Sequence, residues 1–249
     1  MKWVGYIISS IWRFWFLMVF IILFFLLLPL LFVFTALFKN ELYVAHISRY
    51  WSKLTIWLSF IFPIVKWEEK LDANEKYIFC ANHVSTLDIP LIYAILPMPI
   101  QYIGKAEISK IPLFGYFFKK NSIMVDRSNK KDAYNAFLNA GEKLTQNLNI
   151  CIFPEGGIPK KTIFLKKFKN GPFRLSLEKN LKIVPITLID NKQIFPQEYF
   201  KGCPNFARVT IHKPIDPNKL QEKDVKNLNI IVYNTIFEQL KKHEKNSSY

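Results

Sequence analysis

The 249 residues suffice for one α/β domain plus an appendage, and 34 Lys and Arg against 19 Asp and Glu give a net charge of +15. Such a surface is drawn to polyanions, either nucleic acid or an anionic lipid leaflet; zinc-ligand spacing and RNP-type runs are absent, which argues against nucleic acid. The hydrophobic fraction of 51% is high for a soluble domain, and the three cysteines, Cys80, Cys151 and Cys203, are far apart and odd in number, so they read as reduced, buried residues of a cytosol-facing domain and not as disulfides or metal ligands.

Residues 3 to 38 are almost wholly apolar, with Arg13 the single charge among them, and Phe14 to Phe38 is an uncharged run of 25 residues. At ~1.5 Å per residue this run can cross a hydrocarbon core of ~30 Å. It is longer than the apolar part of a signal peptide and lacks a clear small-residue cleavage site. Pro29 either kinks one spanning helix or marks the bend of a re-entrant one. The flanking charges, Lys2 and Arg13 before and Lys39, Arg49 and Lys53 after, favour neither orientation.

A second, weaker apolar segment covers residues 42 to 65. Leu42, Val44, Ile47, Trp51, Leu54, Leu58 and Ile61 recur at helical spacing, and Trp51 and Trp57 suit a membrane interface. The segment reads as an amphipathic helix in the headgroup region, or as a helix packed on the soluble core. The domain division expected is a membrane-anchoring part, residues 1–65, and an α/β domain, residues 66–249.

From residue 76 the pattern alternates. Strands are predicted at 76–81, 99–104, 121–126, 149–153, 182–189 and 206–212, with helices at 89–96, 112–119, 130–148, 168–179 and 218–243. Strands alternating with helices imply a mainly parallel, twisted sheet covered on both faces.

The chemistry centres on Asn82-His83-Val84-Ser85-Thr86-Leu87-Asp88, between the first of these strands and the following helix. Neutral imidazole takes protons near working pH, and a nearby carboxylate can fix its tautomer and stabilise the imidazolium. A His-x4-Asp spacing also arises by chance, and Asp88 before Ile89-Pro90 suits an ordinary helix N-terminus. Lys105 follows the second strand, and Asp126-Arg127 ends the third. Arg127 is either a fork donor for a phosphate or one half of a surface ion pair. Phe153-Pro154-Glu155-Gly156-Gly157 follows the fourth strand, where glycines let backbone amides approach an oxyanion or phosphate. His46, His212 and His243 have no motif partner and read as structural or solvated.

Asn82-His83-x4-Asp88 resembles the first motif of the glycerolipid acyltransferases, the lysophosphatidic acid acyltransferase family. Ile123-Met124-Val125-Asp126-Arg127, Phe153-Pro154-Glu155-Gly156 and Val184-Pro185-Ile186 resemble that family's later blocks, in order, across residues 76 to 190. The resemblance implies a membrane-bound enzyme facing the cytosol, with a membrane-associated helical pair ahead of its catalytic domain. His83 would be the base and Asp88 its partner. Asn82, Lys105, Arg127, Glu155 and Gly156 would bind substrate. The acyl donor would be acyl-CoA or acyl carrier protein, the acceptor a lysophospholipid, and no cofactor or metal would be needed because a thioester is already activated.

One departure stands out. The family block continues Glu-Gly-Thr-Arg-Ser, whereas this chain reads Glu155-Gly156-Gly157-Ile158-Pro159. Lys160 and Lys161 are candidate replacements for the lost arginine; otherwise the acceptor is an amino-acid lipid or another lyso-lipid. A rival from another class is a non-catalytic membrane protein binding anionic lipid through its basic surface, which leaves the order of the four motifs unexplained.

Overall fold

The structure is a computed structural model that describes residues 2–105, 109–125, 148–220 and 224–246. The helix predicted at 130–148 lies almost wholly outside these residues, as does Arg127.

The chain divides into two compact units. One comprises Met1–Lys66, Val84–Pro97 and Leu188–Val209; the other comprises Trp67–His83, Met98–Thr187 and Thr210–Tyr249.

In the first unit, α1 (Lys2–Phe32) runs through Pro29 and widens into a π-helical turn, Val33–Leu37. Lys39 adopts a left-handed φ of 49°, and Asn40 caps the next helix by accepting the Tyr43 N–H at 3.2 Å. The chain thereby reverses into α2 (Glu41–Leu58), which lies against α1. Three indole N–H groups join the two: Trp51 donates to Phe20 O, Trp15 to Leu58 O and Trp12 to Ser59 O. Trp3–Leu37 is long and apolar enough to cross a membrane. Only 22% of its most apolar window is buried, whereas the core helix of a soluble protein would be mostly enclosed.

The second apolar segment differs from the reading at 42–65. Helix α2 stops at Leu58, Phe60 turns at a left-handed φ of 58°, and Phe62–Trp67 forms strand β1. Trp51 is not interfacial: it is buried against Phe20 and Phe24, with ring centroids 4.5 and 5.4 Å away. Trp57 is exposed. α2 also packs on α3 (Asp88–Ile95), so its buried face is a helix–helix seam.

The remaining strands are β2 (Tyr77–Ala81), β3 (Ile100–Lys105), β4 (Ile123–Val125), β5 (Asn149–Ile152), β6 (Lys182–Leu188) and β7 (Phe206–Ile211). Helices α4 (Phe114–Asn121), α5 (Gly171–Lys179), α6 (Asn191–Ile194) and α7 (Val225–Asn246) complete the described elements. The sheet order is β1-β7-β6-β2-β5-β3-β4. The pairs β6–β2, β2–β5, β5–β3 and β3–β4 are parallel, as the alternation implied. β7 runs antiparallel to β6, since Ile189 N–H bonds Arg208 O and His212 N–H bonds Pro185 O.

β2 occupies the centre because it is apolar on both faces; all five of its residues are buried. In the second unit, Ile78, Cys80, Ile150, Ile152 and Ile183 form a core with Phe173 and Leu175 of α5 and with Leu228, Val232 and Ile236 of α7. Between β2 and β3 the sheet receives β5, which enters from later in the chain. The carboxyl ends of β2 and β5 are therefore neighbours, the position where open α/β sheets hold ligands.

Candidate active site

His83 stands two residues beyond the end of β2, and Phe153 directly follows β5. Their rings stack at 4.0 Å between centroids with planes 15° apart, and Tyr102 of β3 also stacks with Phe153, at 5.7 Å. This ladder of rings fixes the plane of the imidazole. His83 is partly exposed, so its edge can meet a substrate.

The backbone of the motif loop is held by side chains. Glu155 Oε1 accepts the His83 N–H at 2.7 Å, and its Oε2 accepts the Lys166 N–H at 3.0 Å. Glu155 is fully buried, with a backbone amide on each oxygen, so it organises the loops around the histidine. Asn82 is also fully buried.

In the first unit, Asp88 Oδ2 accepts the N–H groups of Val84 and Ser85 at 2.7 and 2.9 Å. Asn191 Nδ2 donates to Asp88 Oδ1 at 2.7 Å. Ser85 Oγ donates to Phe195 O at 2.5 Å and accepts the Leu87 N–H at 3.1 Å. Asp88 also opens α3, where a carboxylate suits the positive end of the helix. Asp88 thus combines the helix-start role with shaping of the motif loop.

Gly156 has a φ of +74°, the left-handed region that favours glycine, and its N–H bonds Phe153 O at 3.0 Å. Lys169 N–H bonds Pro154 O at 2.8 Å, which brings its side chain over the same turn. A Cβ on Gly156 would lie 2.7 Å from Lys169 Cε and 3.0 Å from its Nζ. Lys105 ends β3 at the same edge of the parallel strands, in register with Val125.

Three features escaped the sequence reading: the Phe153 ring, Asn191 and the Lys169 side chain. Each depends on strands or turns that come together only in the folded chain. His212 also acquires partners. Its Nε2 lies 2.8 Å from Thr187 Oγ1 and its Nδ1 3.2 Å from Glu68 Oε1, with His212 and Thr187 both buried. Among the described residues, no group of three or more His, Cys, Asp or Glu is arranged to hold a metal ion.

A model of the Acyltransferase family matches residues 63–189, about half of the chain and all of the described site around His83 and Glu155. The chain belongs to the Acyltransferase family. This acyltransferase-family chain is 34% identical over 137 residues to the 1-acyl-sn-glycerol-3-phosphate acyltransferase of Helicobacter pylori, covering 53% of this chain and 58% of that protein. It is 31% identical over 155 residues to the coconut (Cocos nucifera) protein of the same name, covering 61% and 50%. It is 28% identical over 190 residues to that of Borreliella burgdorferi, covering 76% and 75%. The acyltransferase-family chain therefore spans about half the length of the first two relatives. Its fold matches the crystal structure of the 1-acyl-sn-glycerophosphate (LPA) acyltransferase PlsC from Thermotoga maritima, with a TM-score of 0.77, 21% identity and 98% coverage of both chains.

Proposed function

We propose that this chain transfers a fatty acyl group from a thioester, acyl-CoA or acyl carrier protein, to the free hydroxyl of lysophosphatidic acid, giving phosphatidic acid at a membrane. The observation that carries the reading is the partly exposed His83 at the end of the central strand, its ring held by Phe153 and its backbone by Glu155. The names of the relatives support the acceptor.

His83 takes the proton of the acceptor hydroxyl as its oxygen attacks the thioester carbon. The C–O bond forms, the carbonyl oxygen becomes an oxyanion, and backbone amides near the site stabilise it. Collapse breaks the C–S bond, and the imidazolium returns its proton to the departing thiolate. Asp88 orients His83 and stabilises the imidazolium. Lys169, Lys105, Arg127 and the Gly156 turn hold the acceptor phosphate. α1 keeps the site at the bilayer, with the α/β domain on the cytosolic side.

The test is turnover by the purified full-length protein against a panel of lyso-acceptors, offered with acyl-CoA and with acyl carrier protein, for wild type and His83→Ala. Loss of the base should lower turnover about hundredfold or more while vesicle binding persists. Near-normal turnover by His83→Ala would remove the catalytic assignment, and equal lipid binding without any turnover would favour the non-catalytic reading.

Ile158, where the family block has arginine, favours a second reading: the same transfer to a phosphate-free lyso-acceptor or an amino-acid lipid. Better use of a neutral acceptor than of lysophosphatidate would establish it.

A further inference from the structure

A guanidinium in an otherwise apolar helix is costly unless its donors are satisfied. Arg13 is the single charge between residues 3 and 38 and is buried. Its Nε–H donates to Lys201 O at 2.7 Å and its Nη2–H donates to Pro196 O. The guanidinium lies over the Phe195 ring, 4.3 Å from the centroid. Trp12 and Phe16, on the same stretch of α1, pack on that ring at 5.8 and 4.9 Å.

Phe195 has a second attachment. Its carbonyl accepts Ser85 Oγ, the hydroxyl that also receives the Leu87 N–H inside the motif loop. Four residues earlier, Asn191 holds Asp88. Residues 191–201 therefore bind α1 with one set of groups and the segment Val84–Asp88 with another, all within one compact unit. A planar fork of donors suits two carbonyls held at fixed separation, a geometry that the point charge of lysine reproduces only in part.

We propose that Arg13 is a positioning residue: through Phe195 and Ser85 it sets the conformation of the motif loop, so that α1 is part of the active-site framework as well as an anchor. The kinetic consequence rests on the acyl-transfer reading; the structural consequence does not.

The experiment uses the full-length protein in detergent micelles and in phosphatidylglycerol–phosphatidylcholine vesicles, with Arg13→Met, Arg13→Lys, Ser85→Ala, the Arg13→Met/Ser85→Ala double variant, and Phe14→Leu as a control on the exposed face of α1. Amide hydrogen exchange over residues 83–88 is read first. Arg13→Met should speed exchange of this segment, Arg13→Lys should do so less, and Phe14→Leu should leave it unchanged. Unaltered exchange in Arg13→Met would overturn the proposal whether or not the protein transfers acyl groups. If wild type turns over no acceptor, the proposed function fails and exchange alone decides the link.

With an active enzyme and a dispersed short-chain acceptor, Arg13→Met should lower kcat about tenfold or more, with KM changing less than about threefold. The double variant should lose little more than the worse single one, since both break one chain of contacts. Losses that multiply, or a defect seen only with bilayer-embedded acceptor, would reduce Arg13 to an anchor and overturn the proposal. Should Arg13→Met fail to fold, Arg13→Lys and Phe195→Leu answer the same question by exchange. Faster exchange over 83–88 supports the link, and wild-type exchange in both overturns it.

Discussion

Asn191 Nδ2 lies 2.7 Å from Asp88 Oδ1, and both side chains are fully buried although they stand 103 residues apart. Among the described residues, the Oδ1 of Asn191 finds no hydrogen-bond partner. A buried unpaired acceptor is costly, at about 1–3 kcal/mol, so what this amide contributes is its donor end. Asn191→Leu should leave Asp88 one donor short and lower kcat, with a drop in Tm. Asn191→Asp sets two carboxylates together, and they cannot both ionise cheaply. Their shared proton is bound more tightly in the folded chain than in the unfolded one. Stability is therefore present below the unfolded carboxylate range and lost as pH rises through the raised value. The Tm deficit of Asn191→Asp relative to wild type should be smaller at pH 5 than at pH 8, as thermal melts across that range would show.

Glu155 carries one backbone N–H on each oxygen, from His83 and from Lys166. Glu155→Gln keeps the shape but replaces one acceptor by an NH2 group facing a donor. One amide is then unpaired in a buried place, a loss of about 1–3 kcal/mol. Denaturant melts should show that loss, and turnover should fall with it. A stability equal to wild type together with a raised KM alone would make Glu155 a substrate contact.

Lys169 is exposed, and its ammonium sits over the Gly156 turn. If the acceptor carries a phosphomonoester, Lys169→Ala should raise its KM several-fold with kcat nearly unchanged, because the phosphate is held alike in ground and transition states. Gly156→Ala, by crowding the same side chain and straining a left-handed φ, should add a loss of stability. Steady-state series at two salt concentrations check this, since screening weakens the same contacts. A neutral lyso-acceptor should be indifferent to Lys169→Ala.

Cys80 and Cys151 are buried in neighbouring strands as expected, but Cys203 is not buried: it lies in the segment before β7 and is exposed. Burial pushes the Cys80 thiol well above its usual range, and the neighbouring Cys151 adds to this. Native alkylation at pH 8 should therefore modify Cys203 and spare Cys80 and Cys151, with all three modified after unfolding; peptide mass mapping reads the outcome.

Much of the α/β framework was legible in the chain. Apolar runs buried on both faces announce parallel strands, and the strand from 77 to 81 with its His-x4-Asp loop stands out because both signals are local. The edge strand was not legible. Phe62-Pro63-Ile64-Val65 continues an apolar helical spacing, and only the turn at Ser59 and Phe60, with pairing of Phe62 N–H to Asn205 O, makes it a strand. Proline is tolerated there because an edge strand leaves some N–H positions unpaired.

The sequence by itself determined the family, the candidate base and the apolar N-terminus, each encoded in a few adjacent residues. Only the tertiary structure decided what holds the loop in shape. Ser85 meets Phe195 across 110 residues, and Arg13 meets Lys201 across 188. Both bonds end on backbone carbonyls, which every residue possesses and no sequence pattern marks. A hydrogen bond of that kind exists only once the fold has brought its two ends together.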